Sequence, residues 1–286
     1  MAELPPIISS LDEIASRYAG ILCDVWGVVH NGVRSFPAAT AALARAREKG
    51  LAVVLVTNAP RPSRDIIRQL EALGVPDAAW DAVITSGDVT RGLIAEGPRR
   101  IHHLGPERDL GIYEGLDVEI VEEFEASAVI CTGLFDDEAE TPQDYAEALR
   151  RFRARDLPFI CANPDIFVER GEKLIWCAGA LARDYAQLGG RTLIAGKPHR
   201  PIYETALRAT GEALGREIAA AETLAIGDGM LTDVKGADNY GIDALYVSGG
   251  IHAKEYGAAE QPDPDRLAAF LEAHGSRPVA IIPALR

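Results

Sequence analysis

Short apolar segments alternate with amphipathic segments in the first part of the chain. Gly20 to Asp24 predicts a buried strand, and Leu51 to Thr57 and Asp81 to Thr85 predict two more. Pro37 to Lys49 and Pro62 to Leu73 have the length and spacing of helices, and each is followed by a glycine. This alternation is typical of a parallel sheet with helices on both faces.

The same alternation returns toward the carboxyl terminus. It predicts strands at Thr192 to Ala195, Thr223 to Ile226 and Ala244 to Val247. Helices are predicted at Pro201 to Leu214 and Leu231 to Asn239. Both ends of the chain therefore contribute to one α/β unit, which we call the outer domain.

The middle of the chain is less regular and predicts a second domain. It holds a strand at Ala128 to Cys131, a helix at Thr141 to Arg155 and a strand at Pro158 to Cys161. A domain inserted within another is the simplest organisation that explains this interruption. The predicted division is a core of residues 1–89 and 190–286 with a mostly parallel sheet, and an inserted α/β domain of residues 90–189.

Side chains suited to catalysis follow the predicted strands of the outer domain. Asp24 and Thr57 end the first two strands, and Lys197 follows the strand near Thr192. Asp228 and Asp233 follow the next strand. Because the carboxyl ends of parallel strands meet at one edge of a sheet, we expect these side chains to lie together.

The carboxylates favour phosphoryl chemistry. Asp24 leads from an apolar strand into the Gly27 turn, which makes it a candidate nucleophile that forms an aspartyl-phosphate; a solvated turn residue is the alternative. Asp228 lies in a Gly-Asp-Gly turn, and Asp233 lies in the first turn of the following helix. Two carboxylates so placed can serve one Mg²⁺, although Asp233 could instead complement the helix dipole.

Thr57 and Lys197 are candidates for binding phosphate. Thr57 begins a loop before a helix, where a hydroxyl and backbone N–H groups can hold an anion or simply cap the helix. Lys197, in Gly-Lys-Pro, can offset phosphate charge or be an ordinary surface lysine. The residues around Lys197 lack the Walker spacing, which excludes a nucleoside-triphosphate loop.

Composition indicates which classes of partner and which cellular compartment to expect. The net charge of −14 argues against a nucleic-acid partner, which needs a basic surface. The four cysteines have no metal or disulfide spacing and favour buried thiols in a reducing compartment. No apolar stretch approaches the roughly 20 residues of a membrane helix. We therefore expect a cytoplasmic protein with neither a membrane nor a nucleic-acid partner.

Four short motifs, in chain order, resemble those of the haloacid dehalogenase-like (HAD) hydrolase superfamily. They are Asp24-Val-Trp-Gly-Val, Val-Thr57-Asn58, Gly-Lys197-Pro, and Gly-Asp228 with Asp233 five positions on. The inserted domain, with Asn163-Pro-Asp165, is similar to the cap of the class IIA branch, which includes p-nitrophenyl phosphatase, pyridoxal phosphatase and phosphoglycolate phosphatase. The resemblance spans nearly the whole chain and implies a Rossmann-like HAD core with a cap domain.

This resemblance implies a Mg²⁺-dependent phosphatase that acts on a small phosphorylated metabolite through an aspartyl-phosphate. Caps of this kind often pair, so it also implies a homodimer through the cap. The resemblance implies that Asp24 is the nucleophile and a metal ligand, that the carbonyl of Trp26 and the carboxylate of Asp228 are further metal ligands, and that Asp233 supports these ligands without binding the metal directly. It implies that Thr57 and Asn58 bind the phosphoryl oxygens and that Lys197 orients the nucleophile and the phosphate. Asn163 and Asp165 are implied to lie on the cap and to face the substrate.

Trp26 departs from the pattern of these phosphatases. They carry an aspartate at this position, which protonates the leaving oxygen and then activates water. Indole cannot do this, and general acid/base help is worth about 10²- to 10⁴-fold. The departure predicts a slow enzyme, a good leaving group, or another proton donor such as His30 or His199.

Two further functions stay open at this point. One is a protein that binds a phosphorylated ligand or a partner without turnover. The other is a dehalogenase, which also uses an aspartate nucleophile and tolerates an aromatic residue at the position of Trp26. Asp228 and Asp233 weigh against the dehalogenase, because displacement of halide from carbon needs no metal.

Overall fold

The structure is a computed structural model that describes residues 4–171 and 173–286. The strands in these residues are β1 (Gly20–Asp24), β2 (Ala52–Thr57), β3 (Ala82–Thr85), β4 (Arg100–Leu104), β5 (Glu119–Ile120), β6 (Ala128–Cys131), β7 (Phe159–Cys161), β8 (Phe167–Arg170), β9 (Lys173–Trp176), β10 (Thr192–Ile194), β11 (Thr223–Gly227), β12 (Asp243–Val247), β13 (Gly257–Ala258), β14 (Gln261–Pro262) and β15 (Ala280–Ile282).

Helices connect most of these strands. The α-helices of the described residues are α1 (Asp12–Ala15), α2 (Pro37–Glu48), α3 (Ser63–Ala72), α4 (Ser86–Ala95), α5 (Ala146–Ala154), α6 (Ala178–Gln187), α7 (Arg200–Leu214), α8 (Lys235–Tyr240), α9 (Ala253–Tyr256) and α10 (Pro264–His274). Short 3₁₀ helices lie at Asp77–Ala79, Glu107–Tyr113, Glu123–Glu125, Pro142–Tyr145 and Ala220–Glu222, and a π-helix at Met230–Val234.

The larger sheet, within the described ranges, has the strand order β15-β12-β11-β1-β2-β3. Strand β1 runs parallel to both of its neighbours, β2 and β11. Every residue of β1 and β2 is buried, as expected for central strands covered on both faces. The chain leaves β1 toward β2 and later returns on the other side at β11. The sheet therefore has a topological switch point between β1 and β11, where α/β proteins place their sites.

The smaller sheet, over the same part of the chain, has the parallel order β10-β7-β6-β4-β5. Alternate residues of β6 enter different cores: Val129 packs with side chains of α5 and α6, and Ile130 packs with Ile94 of α4. The chain passes from β4 to β5 on one side and then to β6 on the other. This sheet therefore has its own switch point, between β4 and β6.

Strand β10 belongs to a different sheet from the one expected. The sequence places the strand near Thr192 in the outer domain, together with the strand of Asp24. In the structure it pairs with β7, with Thr192 opposite Phe159. A short apolar strand has the same pattern in either sheet, so periodicity cannot make this distinction. Lys197 therefore follows a strand of the five-stranded sheet.

The chain divides into two compact units. One holds the chain up to Thr57 with Ile67–Ile84 and Tyr203–Arg286, and the other holds Asn58–Ile66 with Thr85–Ile202. The second unit contains all of segment 90–189, which the sequence assigns to the inserted domain, and extends beyond it at both ends. The predicted α/β class with mostly parallel sheets is confirmed. Over residues 4–171 and 173–286, no helix combines the length and apolar character needed to cross a membrane.

Candidate active site

Three buried carboxylates meet at the switch point of the six-stranded sheet. Asp24 ends β1, Asp228 follows β11 directly, and Asp233 lies in the π-helix that comes next. Each contributes a carboxylate oxygen to a group whose members all lie within 4.8 Å of one another. Asp24 is far in sequence from Asp228 and Asp233, and the adjacency of β1 and β11 brings it close to them.

Glycines allow this close approach to Asp228. Gly27, three residues after Asp24, has a φ of +79°, and a side chain there would overlap the Asp228 carboxylate. A side chain at Gly250, beyond β12, would overlap the same carboxylate. The neighbouring N–H of Ile251 donates to Asp228 Oδ2 at 2.9 Å. Gly250 is not among the predicted site residues, although its place after a strand of the same sheet is a signal that could have indicated it.

The π-helix directs Asp233 back toward the turn that holds Asp228. The backbone N–H of Asp233 donates to the carbonyl of Gly229 at 2.8 Å, and the N–H of Gly229 donates to Asp233 Oδ2 at 3.1 Å. The Thr232 hydroxyl donates to the same carboxylate oxygen at 3.4 Å. These bonds orient Asp233 so that its carboxylate joins the other two.

The donor set of the cluster fits a hard divalent cation. Three buried carboxylates this close repel one another unless protons or a cation compensate their charge. Mg²⁺ prefers oxygen ligands, needs few carboxylates and keeps places for water and phosphate oxygens. Asp24, Asp228 and Asp233 can therefore supply the protein side of a magnesium site.

Trp26 adds an aromatic ring to this region and no carboxylate. Its ring packs edge-to-face against His30, with 5.0 Å between centroids. His30 is buried, and its Nδ1 accepts a hydrogen bond from the N–H of Gly32 at 2.9 Å. Neutral His30 therefore carries its proton on Nε2.

Thr57, the last residue of β2, is also buried, and its neighbour Val56 lies opposite Asp24.

A second group of predicted residues meets within the other unit. The amide of Asn58 accepts from the backbone N–H of Lys197 at 2.8 Å and donates to the Lys197 carbonyl at 3.2 Å. The same Nδ2 donates to Asp165 Oδ1 at 2.8 Å. Asn163 accepts from the N–H of Asp165 at 3.1 Å. A side chain at Gly196 would come within 2.7 Å of Asn58 Oδ1, so the position before Lys197 requires glycine.

The structure thus sorts the predicted site residues into two groups. Asp24, Asp228 and Asp233 come together in the first unit, and Asn58, Asp165 and Lys197 come together in the second. Burial lowers the pKa of His199, two residues after Lys197. The sequence did not reveal that the Asn58 side chain is occupied by the backbone of Lys197, because no local pattern encodes a contact between such distant residues.

Comparison with known proteins identifies the family. Residues 21–119 match a family model described as haloacid dehalogenase-like hydrolase, and residues 194–273 match one described as HAD-hydrolase-like. The chain belongs to the haloacid dehalogenase-like hydrolases. This HAD-like hydrolase is similar to a haloacid dehalogenase-like family hydrolase from Brucella suis 1330, whose crystal structure is known. The two sequences are 60% identical, the match covers 98% of the present chain and 100% of the Brucella chain, and the TM-score is 0.89.

More distant relatives carry enzyme names. The 5'-nucleotidase YutF of Bacillus subtilis (strain 168) is 25% identical over 252 residues, which are 86% of this HAD-like hydrolase and 93% of YutF. The p-nitrophenyl phosphatase from Archaeoglobus fulgidus shares the fold, with 23% identity over 93% of this chain and 96% of its own and a TM-score of 0.69. The predicted resemblance to the HAD superfamily and to the fold of its class IIA branch is confirmed.

Proposed function

We propose that this HAD-like hydrolase is a Mg²⁺-dependent phosphatase that hydrolyses a small phosphorylated metabolite through an aspartyl-phosphate on Asp24. The buried cluster of Asp24, Asp228 and Asp233 carries the proposal. A cluster of this charge suits a divalent cation with a phosphate, whereas it repels the carboxylate of a haloacid. The names of the relatives, a 5'-nucleotidase and a p-nitrophenyl phosphatase, support phosphate esters as the substrate class.

The reaction has two displacements at phosphorus. The Asp24 carboxylate attacks the phosphoryl group, the bond from phosphorus to the ester oxygen breaks, and the leaving alcohol takes up a proton. Water then attacks the phosphorus of the acyl phosphate, which releases inorganic phosphate and regenerates the carboxylate of Asp24. Splitting one difficult hydrolysis into two displacements lowers each barrier.

The proposed magnesium ligands are the carboxylates of Asp24 and Asp228 and the backbone carbonyl of Trp26, with Asp233 behind them. When bound, the cation offsets the negative charge of the carboxylates and of the phosphoryl oxygens. Asp233 holds the turn of Asp228 through its bond to the N–H of Gly229. The carboxylates therefore bind and orient while Asp24 alone forms the covalent bond.

The remaining residues keep the roles that the family resemblance implies. We propose that Thr57 donates its hydroxyl to a phosphoryl oxygen and that the Lys197 ammonium pairs with another. Because the side-chain amide of Asn58 is bonded to Lys197 and Asp165, any contact of Asn58 with the phosphoryl group comes through its backbone N–H. Asn163 and Asp165 are proposed to face the substrate.

Trp26 makes the breakdown of the aspartyl-phosphate the expected slow step. It supplies no group that could activate water, a function worth about 10²- to 10⁴-fold. The same observation favours the second candidate function, binding of a phosphorylated ligand without turnover. The phosphatase and the non-hydrolytic binding protein are distinguished by turnover number, because only the phosphatase releases more than one phosphate per protein molecule.

Phosphate release tests the proposal. Sugar, nucleotide and glycolate phosphates are incubated with the protein in Mg²⁺ or in EDTA, alongside Asp24→Asn and a control, Asp117→Asn, whose carboxylate is exposed and paired with Arg99. We expect multiple turnovers that need Mg²⁺, persist in the control and disappear in Asp24→Asn. Absence of turnover on every substrate, or equal rates for wild type and Asp24→Asn, overturns the phosphatase.

Location and assembly are secondary proposals. We propose a cytoplasmic protein, which the burial of all four cysteines supports. We also propose a homodimer formed through the cap, no membrane partner and, from the net charge of −14, no nucleic-acid partner. Light scattering coupled to size-exclusion chromatography tests the dimer, and a monomer at micromolar concentration would contradict it.

A further inference from the structure

The five-stranded sheet has a switch point that the proposed chemistry does not use. The loops after β4 and β6 meet there, and a side chain at Gly105 would overlap the hydroxyl of Thr132. In open parallel sheets, ligands bind beyond the carboxyl ends of the strands at such a point. The residues that these loops carry are therefore candidates for contact with a ligand.

Charged side chains from four segments converge at this switch point. Arg108 and Asp109 follow β4, Asp137 follows β6, and Arg170 ends β8. Asp137 accepts from Arg170 at 2.9 Å and also from Arg108. Arg61 approaches from the loop after Asn58, with its Nε 3.8 Å from Asp109 Oδ1. We call Arg61, Arg108 and Arg170 the arginine cluster.

Asp109 is buried and Asp137 is nearly so, whereas the arginines reach solvent. The side chains of Asp109 and Asp137 are 4% and 10% exposed, whereas those of Arg61, Arg170 and Arg108 are 26%, 32% and 50% exposed. This arrangement directs the carboxylates inward, where they hold the guanidinium groups in place. The guanidinium groups form the accessible surface.

The arginine cluster brings like charges close to one another. Arg61 approaches Asp109, Arg108 and Arg170 share Asp137, and the charge of Asp65 also acts on Arg61. On the rim, Glu138 lies 3.5 Å from Arg170 and 3.9 Å from Lys173, so its charge is matched by a further cation. Burial lowers the pKa of Arg61, and the charges of Arg108 and Arg170 lower it further, whereas the charges of Asp109 and Asp65 act in the opposite direction. The cations therefore repel one another, and an added anion relieves that repulsion.

Local geometry links the arginine cluster to the group formed by Asn58, Asp165 and Lys197. Arg61 lies three residues after Asn58, and β8 begins two residues after Asp165. The amide of Asn58 donates to Asp165 at 2.8 Å, so the segments that lead to Arg61 and Arg170 are bonded to each other. The cluster is thus held in the same unit as Lys197, the proposed phosphate ligand.

We propose that the arginine cluster binds a second anionic group, a carboxylate or a phosphate, of the phosphorylated substrate. Planar guanidinium forks match these groups in charge and in geometry. Because Asp109 and Asp137 hold the arginines before any ligand arrives, little side-chain entropy is lost on binding. The inference rests on the proposed function, because the anionic group belongs to a substrate of the proposed phosphatase.

Matched substrate pairs test this subsite. The pairs are 3-phosphoglycerate with glycerol 3-phosphate, 6-phosphogluconate with glucose 6-phosphate, and fructose 1,6-bisphosphate with fructose 6-phosphate, which vary the second group and its distance from the phosphate. We expect KM to be about tenfold or more lower for the doubly anionic member of at least one pair. The carboxylate and bisphosphate arms identify which anion is preferred.

Variants connect this preference to the arginines. In Arg108→Gln and Arg170→Gln, the ratio of KM values within the preferred pair falls toward one. Arg150→Gln is the matched control, because Arg150 is an exposed arginine with a single ion pair to Glu147, and it keeps the wild-type ratio. A wild type with no preference in any pair, or a preference that both cluster variants retain, overturns the subsite.

Direct binding separates this inference from the phosphatase proposal. Titration calorimetry of wild type and Arg108→Gln with the same pairs in EDTA reports affinity without turnover. A preference that Arg108→Gln abolishes supports the subsite even if no phosphate is released, in which case only the phosphatase fails. Turnover without any preference in KM or affinity leaves the phosphatase standing and removes the subsite. Thermal denaturation of each variant confirms that it is folded.

Discussion

Asn58 and Lys197 are joined by two hydrogen bonds of opposite polarity. The Asn58 amide oxygen accepts from the Lys197 N–H at 2.8 Å, and its nitrogen donates to the Lys197 carbonyl at 3.2 Å. The same nitrogen donates to Asp165 at 2.8 Å. One amide therefore fixes the backbone of the proposed phosphate-binding lysine and a carboxylate proposed to face the substrate.

Asn58→Asp is expected to lower kcat about 10- to 100-fold. The change is isosteric, but it places a carboxylate oxygen against Asp165 and the Lys197 carbonyl, and loss of a hydrogen bond to a charged group has an effect of this size. Phosphate release under saturating substrate measures it.

The double variant Asn58→Asp/Asp165→Asn provides the control. The new amide at position 165 can donate to the new carboxylate at position 58, so part of the lost kcat returns. If the double variant is slower than both single variants, the contact is not what positions Lys197.

Trp26→Asp is expected to raise phosphatase turnover by about 10²- to 10⁴-fold, the usual value of general acid/base assistance. The substitution supplies a carboxylate two residues after Asp24, where phosphatases of this family have one. Steady-state kcat with p-nitrophenyl phosphate and with an alkyl phosphate measures the gain.

The alkyl substrate should gain more, because its leaving group depends more on a proton donor. Trp26→Phe keeps the aromatic character and serves as the comparison. A folded, Mg²⁺-binding Trp26→Asp protein with no gain in turnover would show that the missing carboxylate does not limit the rate.

Gly250→Ala is expected to weaken Mg²⁺ binding about tenfold or more. The new methyl group overlaps the Asp228 carboxylate, and overpacking of this kind typically costs about 1–3 kcal/mol. Because a ligand that binds only the folded state raises its stability, the increase in Tm produced by Mg²⁺ over EDTA reports the affinity.

Gly92→Ala is the matched control, since nothing lies within 4 Å of the position of its added methyl group. It should keep the wild-type response to Mg²⁺. An unchanged response in Gly250→Ala would show that the segment after β12 does not shape the proposed metal site.

Asp137 is expected to stabilise the fold in a pH-dependent manner. Burial alone would raise its pKa, but the hydrogen bonds and charges of Arg170 and Arg108 outweigh burial and hold the pKa below its ordinary value of 3.8. Its contribution is therefore fully present above about pH 4 and is lost as the pH falls through the lowered pKa.

Asp137→Asn should reduce the free energy of unfolding by about 1–3 kcal/mol at pH 7, and the difference from wild type should shrink below pH 4. Denaturant unfolding across this range measures it, with the exposed Asp117→Asn as reference. A difference that does not change with pH would show that the ion pairs with the two arginines are not its source.

The sequence predicted elements and motifs well because they are local. The strand that delivers Asp24 and the Gly-Asp-Gly turn of Asp228 are each encoded by a few adjacent residues, and the parallel order of strands then implies their meeting. By contrast, the sheet to which β10 belongs, the use of the Asn58 amide, and the pairing of Asp137 with Arg108 and Arg170 depend on contacts between distant segments. Neither periodicity nor motif spacing carries that information.

The strands of the five-stranded sheet lie in the chain between β3 and β11 of the six-stranded sheet. This chain order determines which sheet can be completed first during synthesis. Strand β1 leaves the ribosome early, but its neighbour β11 is made only after all five strands of the other sheet. The smaller sheet can therefore fold while the larger one still lacks half of its strands. Asp24 lacks Asp228 during this interval, so a truncated or stalled chain carries the proposed nucleophile but no carboxylate cluster. The proposed metal-dependent activity therefore requires chains whose synthesis has passed Asp233.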